Sequence, residues 1–166
     1  DINPDATDLA KKNNKNIVFF NSDYLRDNNN SNYDNKLILA ADVFEHVENP
    51  YEFLKKLKNK GSFFLFNIPL EISLLSMIRK KNIYKSSFDL VGHLHYYNQR
   101  TALLILKNCG YEVIKFSLVN NRFFEIKKNK NFKKTLLYLP QYILELFSKN
   151  LSANLFGGYS MVVLAR

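Results

Sequence analysis

The chain has 166 residues, 46% of them hydrophobic and 14% aromatic, which is enough for one buried core and excludes a disordered chain. Its formal net charge of +9 points toward nucleic acid or an anionic membrane surface, although heavy use of Lys and Asn, as in Asn13-Asn14-Lys15-Asn16, gives the same charge without either partner. The single Cys109 excludes an internal disulfide and fits a reducing compartment, no apolar run reaches the roughly 18 residues of a membrane span, and no segment has a signal-peptide pattern.

In chain order, Asn3 followed by Pro4 reads as an N-cap with proline at the first helical position, and a helix is predicted to about Lys12. Ile17-Val18-Phe19-Phe20 reads as a buried strand ending at Asn21-Ser22-Asp23, and residues 27–35 are loop-like. Lys36 to Ala41 is the next strand, so continuously apolar that both faces are expected to be covered. Asp42-Val43-Phe44-Glu45 has capping-box spacing, and Asn49-Pro50-Tyr51-Glu52 repeats it before a helix from Pro50 to about Lys58. Ser62 to Pro69 is a buried strand, and a helix is predicted from Glu71 to Lys81. Asn98 caps a helix from Gln99 to Asn108, and Gly110 stops it. Tyr111 to Val119 reads as a strand. Basic Lys127 to Lys134 leads into apolar helical stretches around Leu136–Phe147, and a final strand runs from Tyr159 to Ala165.

Alternating strands and helices imply an α/β fold with a mainly parallel sheet, in which ligands sit beyond the carboxyl ends of the strands. The polar residues at those ends are Asp1, Asp23, Asp42 and Asn67 with Pro69.

At Leu39-Ala40-Ala41-Asp42-Val43-Phe44-Glu45-His46-Val47-Glu48-Asn49-Pro50 the chain resembles the class I S-adenosylmethionine-dependent methyltransferases. More narrowly it is similar to the group that includes ubiquinone-biosynthesis O-methyltransferases and many bacterial relatives, with their D-V-(L/I)-E-H-V-x-(D/N)-P segment after the fourth strand. Asp1-Ile2-Asn3 looks like the end of the family's second strand and Asn21-Ser22-Asp23-Tyr24 like the end of its third. Gly61 to Pro69 resembles the fifth strand, Gly92-His93-Leu94-His95-Tyr96-Tyr97-Asn98 the stretch before the next helix, and Leu155 to Ser160 the approach to the final strand. The order and spacing of six such motifs carry the resemblance across nearly the whole chain.

The resemblance implies a Rossmann-like, mainly parallel sheet whose last strand is antiparallel, in a single domain with residues 120–153 as a helical insertion or lid. It implies S-adenosylmethionine as cofactor, held by Asp1, Ile2, Asp23, Tyr24, Ala40, Ala41 and Asp42: Asp1 on the ribose hydroxyls, Asp23 at the adenine edge, and the carbonyls of Ala40 and Ala41 on the methionine ammonium. Glu45, His93 and Tyr97 fall on the substrate side. His46 is the candidate general base for an oxygen nucleophile, a structural histidine being the open alternative. Asp42 and Glu45 equally read as helix caps. His93 and His95, two apart, would share a face of an extended segment, and with no third ligand near in sequence no metal site is expected.

The family's first strand and its G-x-G-x-G turn have no counterpart in this sequence, and the family's strand order places that first strand between the second and the fourth. The chain is therefore expected to be an N-terminally incomplete methyltransferase, lacking about 40–60 residues, the size of a βαβ half-unit with a lead-in. Its acceptor is expected to be a small or lipid-like molecule methylated at oxygen. The expected location is the cytoplasm, with peripheral membrane contact through residues 127–147 or, alternatively, those residues packing as a lid. The rival readings are a degenerate binding module and an RNA methyltransferase. The absence of an RNP-type platform or an N/D-P-P-Y motif speaks against nucleic acid.

Overall fold

The computed structural model describes residues 4–13, 16, 23–26, 36–78, 88–122 and 132–166. Two compact units divide the chain, Asp1–Asn32 and Tyr33–Arg166. The first contains α1 (Pro4–Asn13), which has proline at its start, Asp5 in its first turn and Lys11 and Lys12 in its last, each on the favourable end of the helix dipole. Further on, Asp23 closes a turn in which its Oδ1 accepts from the Leu25 N–H at 3.0 Å. Asp1, Ile2 and the predicted strand Ile17–Phe20 lie outside the described residues.

The second unit runs through β1 (Leu37–Ala41), α2 (Pro50–Lys58), β2 (Phe63–Leu70), α3 (Leu74–Ile78), α4 (Gln99–Asn108), β3 (Val113–Asn120), α5 (Phe132–Phe147), α6 (Lys149–Phe156) and β4 (Tyr159–Ala165). Among the described residues the sheet order is β1-β2-β4-β3. β1 and β2 are parallel, whereas β4 lies between β2 and β3 and runs antiparallel to both, so the last strand alone is reversed.

Alternation along β2 sends Phe64, Phe66, Ile68 and Leu70 into the core. Tyr111 packs edge-on against Phe64 and Phe66, with ring centroids at 4.9 and 5.2 Å, and its buried hydroxyl donates to the Leu54 carbonyl at 2.8 Å. That one side chain ties α2 to the sheet. Leu54 and Leu57, three residues apart on α2, and Ala102, Ile105 and Leu106 on α4 complete this layer. Ala40, Phe64 and Phe66 are buried, whereas among the described residues nothing covers Leu37 and Leu39 on the opposite face of β1, which are 60% and 66% exposed. The expectation that β1 is covered on both faces is thus corrected.

The caps explain where the helices begin. Asn49 accepts from the Glu52 N–H at 3.1 Å and starts α2, and Asn98 with Thr101 forms a reciprocal capping box on α4. The similar spacing at Asp42–Glu45 makes no box. Residues 42–48 form turns and bends, Asp42 sits in the left-handed region at φ 51°, and its carboxylate accepts from Asn67 Nδ2 at 3.0 Å instead of from a helix N–H. Nor does a helix begin at Glu71. Ser73 and Ser76 bond each other's backbone N–H groups, so the first turn of α3 is set at Ser73.

Candidate active site

The carboxyl ends of β1 and β2, where ligands of α/β sheets bind, carry most of the polar chemistry. β1 ends at Ala41 and turns at Asp42, whose N–H still donates to the Asn67 carbonyl of β2 at 3.1 Å. Backbone groups alternate sides along a strand, so the Ala40 carbonyl is turned toward β2 and the Ala41 carbonyl away from it. Ala40 is buried and Ala41 exposed.

Beyond that turn Glu45 is folded into the interior, 0% exposed, with both carboxylate oxygens buried and, among the described residues, lacking a hydrogen-bond partner. Burial pushes its pKa above the ordinary carboxylate value. Asp42 adds to that rise, while its own backbone N–H, His46 and His93 oppose it. Its main-chain carbonyl accepts from the N–H groups of both Leu94 and His95, at 2.9 and 3.1 Å, which fastens residues 92–95 against the turn.

His46 is exposed, with Nδ1 3.2 Å from the Gly92 carbonyl. His93 is held from behind by Glu71, Nδ1 to Oε2 at 2.9 Å, both side chains being largely buried. The two imidazoles meet edge to face at 4.7 Å. One ligand-capable atom from each of Glu45, His46 and His93 lies within 4.8 Å of the other two. Tyr97 is buried against Phe44 at 5.3 Å, and its hydroxyl has no partner; burial, reinforced by Glu45, raises its pKa above that of a free phenol.

Glu71 also lines a neighbouring cleft of about 370 Å³, whose walls include Leu70, Ser73, Arg122, Gly158 and Tyr159. The Arg122 guanidinium donates to Gln141 Oε1 at 2.7 Å and to the Phe156 carbonyl at 3.0 Å.

Of the residues singled out from sequence, the structure brings Asp42, Glu45, His46, His93 and Tyr97 to one edge of the second unit, beside Ala40 and Ala41. Asp23 and Tyr24 belong to the first unit, where Asp23 also pairs with Arg26 at 3.2 Å and Tyr24 is exposed. His93 and His95 do not act as a pair, because His95 turns its Nε2 to the Val47 carbonyl at 3.0 Å. Two residues escaped the sequence reading. Glu71 directly follows β2, a position where a strand end marks a site, and Arg122 lies two residues beyond the end of β3. The third member of the histidine cluster is Glu45, which sequence spacing assigned to a helix cap.

No family profile and no curated protein matches the sequence. Solved structures do match the fold. A candidate sarcosine dimethylglycine methyltransferase from Galdieria sulphuraria superposes with a TM-score of 0.63 at 12% identity, over 100% of this chain and 67% of that one. An S-adenosylmethionine-dependent methyltransferase from Mesorhizobium loti gives 0.61 at 13% identity, over 100% and 77% of the two chains. A further one, from Archaeoglobus fulgidus, gives 0.55 at 20% identity, over 99% and 73%. The fold is that of the class I S-adenosylmethionine-dependent methyltransferases.

Proposed function

We propose that this protein transfers a methyl group from S-adenosylmethionine to an oxygen of a small or lipid-like acceptor. The observation that carries this reading is the gathering of Asp42, Glu45, His46 and His93 at the carboxyl ends of β1 and β2 in a sheet of this fold. When bound, S-adenosylmethionine supplies a methyl group already activated on a sulfonium, so the protein's part is to position donor and acceptor and to manage one proton.

The described residues fit the amino end of such a cofactor. The Ala41 carbonyl points away from β2, and two alanines leave room for an ammonium to approach it. The acceptor side is the imidazole pair, with the cleft bounded by Glu71 and Arg122 next to it. Titration calorimetry of the protein with S-adenosylhomocysteine tests the reading. Saturable one-to-one binding is expected, and no heat of binding at millimolar ligand would refute it.

A lipid-like acceptor is favoured by α5. Leu139, Tyr142, Ile143 and Leu146 recur at helical spacing and are all exposed, and Phe147 after them is 84% exposed. The basic sequence Lys127 to Lys134 precedes this stripe, a combination that suits an anionic bilayer surface. No helix among the described residues is long and apolar enough to cross a membrane. Co-flotation with phosphatidylglycerol vesicles, lost in Leu146→Asp and weakened by salt, is the expected outcome. Absence of flotation at low salt refutes the surface contact.

A further inference from the structure

We infer that Glu45, His46 and His93 form a binding site for one divalent transition-metal ion. Two imidazole nitrogens and one carboxylate suit zinc or its first-row neighbours rather than magnesium or calcium, which prefer all-oxygen shells. Sequence spacing alone hides the set, because forty-six residues separate His46 from Gly92 and its neighbour His93.

Three observations point to an ion independently of one another. The ligand-capable atoms of the three side chains converge within 4.8 Å. Both rings are held through Nδ1, His46 by the Gly92 carbonyl and His93 by the Glu71 carboxylate. A neutral imidazole that donates from Nδ1 keeps its lone pair on Nε2, and backing of a ligand histidine by a carboxylate or carbonyl is the usual outer arrangement of metal sites. The third observation is Glu45. A fully buried carboxylate with neither oxygen bonded is costly, and a ligated cation supplies the missing compensation.

Asp42 stands outside the set, its carboxylate being engaged by Asn67. Three protein ligands leave a fourth position, and the exposure of His46 opens that position to solvent. Water or an acceptor oxygen placed there would lose its proton more readily, and the two imidazoles then serve as ligands rather than as bases. Binding of the ion itself does not depend on the methyl-transfer reading.

The test uses the full chain, stripped with chelator and dialysed against Zn²⁺. One retained equivalent is expected by elemental analysis, together with shifts of the His46 and His93 ring nitrogens in ¹⁵N-detected spectra while those of His95 stay in place. These ring shifts are read on the unsubstituted protein, so a variant that fails to fold cannot obscure the result. His93→Ala and Glu45→Gln should abolish stoichiometric retention, and Glu71→Gln should weaken it roughly 10–100-fold, the range for an outer-shell partner. His95→Ala should retain zinc. No retained zinc, zinc retained with unshifted His46 and His93 rings, or undiminished retention by a folded His93→Ala variant each overturn the inference.

Discussion

Replacing Gly158 by alanine should destabilise the protein by two mechanisms that can be separated. Gly158 sits at φ 77°, in the left-handed region, at the point where the chain leaves α6 and enters β4. An L-residue there costs about 1–2 kcal/mol in backbone sterics. A Cβ built on Gly158 would also lie 2.9 Å from Arg122 Cδ and 3.0 Å from Cγ, so the arginine stem must move. That movement endangers the guanidinium bonds to Gln141 and the Phe156 carbonyl. Charge-assisted hydrogen bonds contribute roughly 1.5–3 kcal/mol each, and loss of one in this partly solvated setting brings the total to about 3–4 kcal/mol. For a chain of this size that is a fall in Tm on the order of 10 °C. Differential scanning calorimetry on Gly158→Ala, Arg122→Ala and the double variant separates the parts. In the Arg122→Ala background, Gly158→Ala should cost only the backbone share, about 1–2 kcal/mol, because the clash partner is gone. An equal penalty in both backgrounds would refute the arginine half of the reasoning, and a loss of less than 2 °C in the single variant (under ~1 kcal/mol) would refute both.

Tyr111→Phe keeps the ring on Phe64 and Phe66 and removes only the hydroxyl bond to Leu54, so about 1 kcal/mol should be lost at pH 7 by chemical denaturation. Burial raises the Tyr111 pKa, hence the unfolded chain releases this proton first as pH rises past its value of 10.0; the stabilisation is present below that pH and lost above it, and the gap between wild type and variant should narrow. Asn98→Ala breaks the capping box on α4 and should cost about 1 kcal/mol, whereas Asn98→Ser should recover most of it; equal stability of the two variants would show that the cap is dispensable.

The fold was readable wherever local chemistry decides it. Asn49 with Pro50, Asn98 with Gly110, and the apolar runs of β1, β2 and β4 each fix an element's place within a residue or so, since caps and buried strands are determined by neighbours in sequence. Asp42 and Glu45 misled for a physical reason. A carboxylate three residues ahead of another has capping geometry only if the first has extended backbone angles, whereas Asp42 has a φ of 51° and its carboxylate is engaged by Asn67, twenty-five residues away. Likewise Glu71 and His93, twenty-two residues apart, meet only once β2 is in the sheet, and no local pattern announces them. The same non-local origin explains why β1 reads as buried on both faces although Leu37 and Leu39 are exposed among the described residues.

The turn after β1 and the segment before α4 behave as one wall of the site because three sets of backbone-directed contacts join them. The Glu45 carbonyl takes two N–H groups from residues 94 and 95, His46 faces the Gly92 carbonyl and His95 faces the Val47 carbonyl, while a bridge between Leu70 and Tyr97 ties the same segment to the end of β2. None of these bonds uses the chemistry-bearing atoms of Glu45 or the Nε2 atoms of His46 and His93. Main-chain carbonyls, His95 Nε2 and the Nδ1 atoms of His46 and His93 set the geometry, while the Glu45 carboxylate and the Nε2 atoms of His46 and His93 are left to act. Such a division holds reactive groups in place before a ligand arrives and avoids the entropy cost of ordering them afterwards. It also explains how a loop, ordinarily the most adaptable part of an α/β fold, can keep a buried carboxylate and two imidazoles within reach of one another.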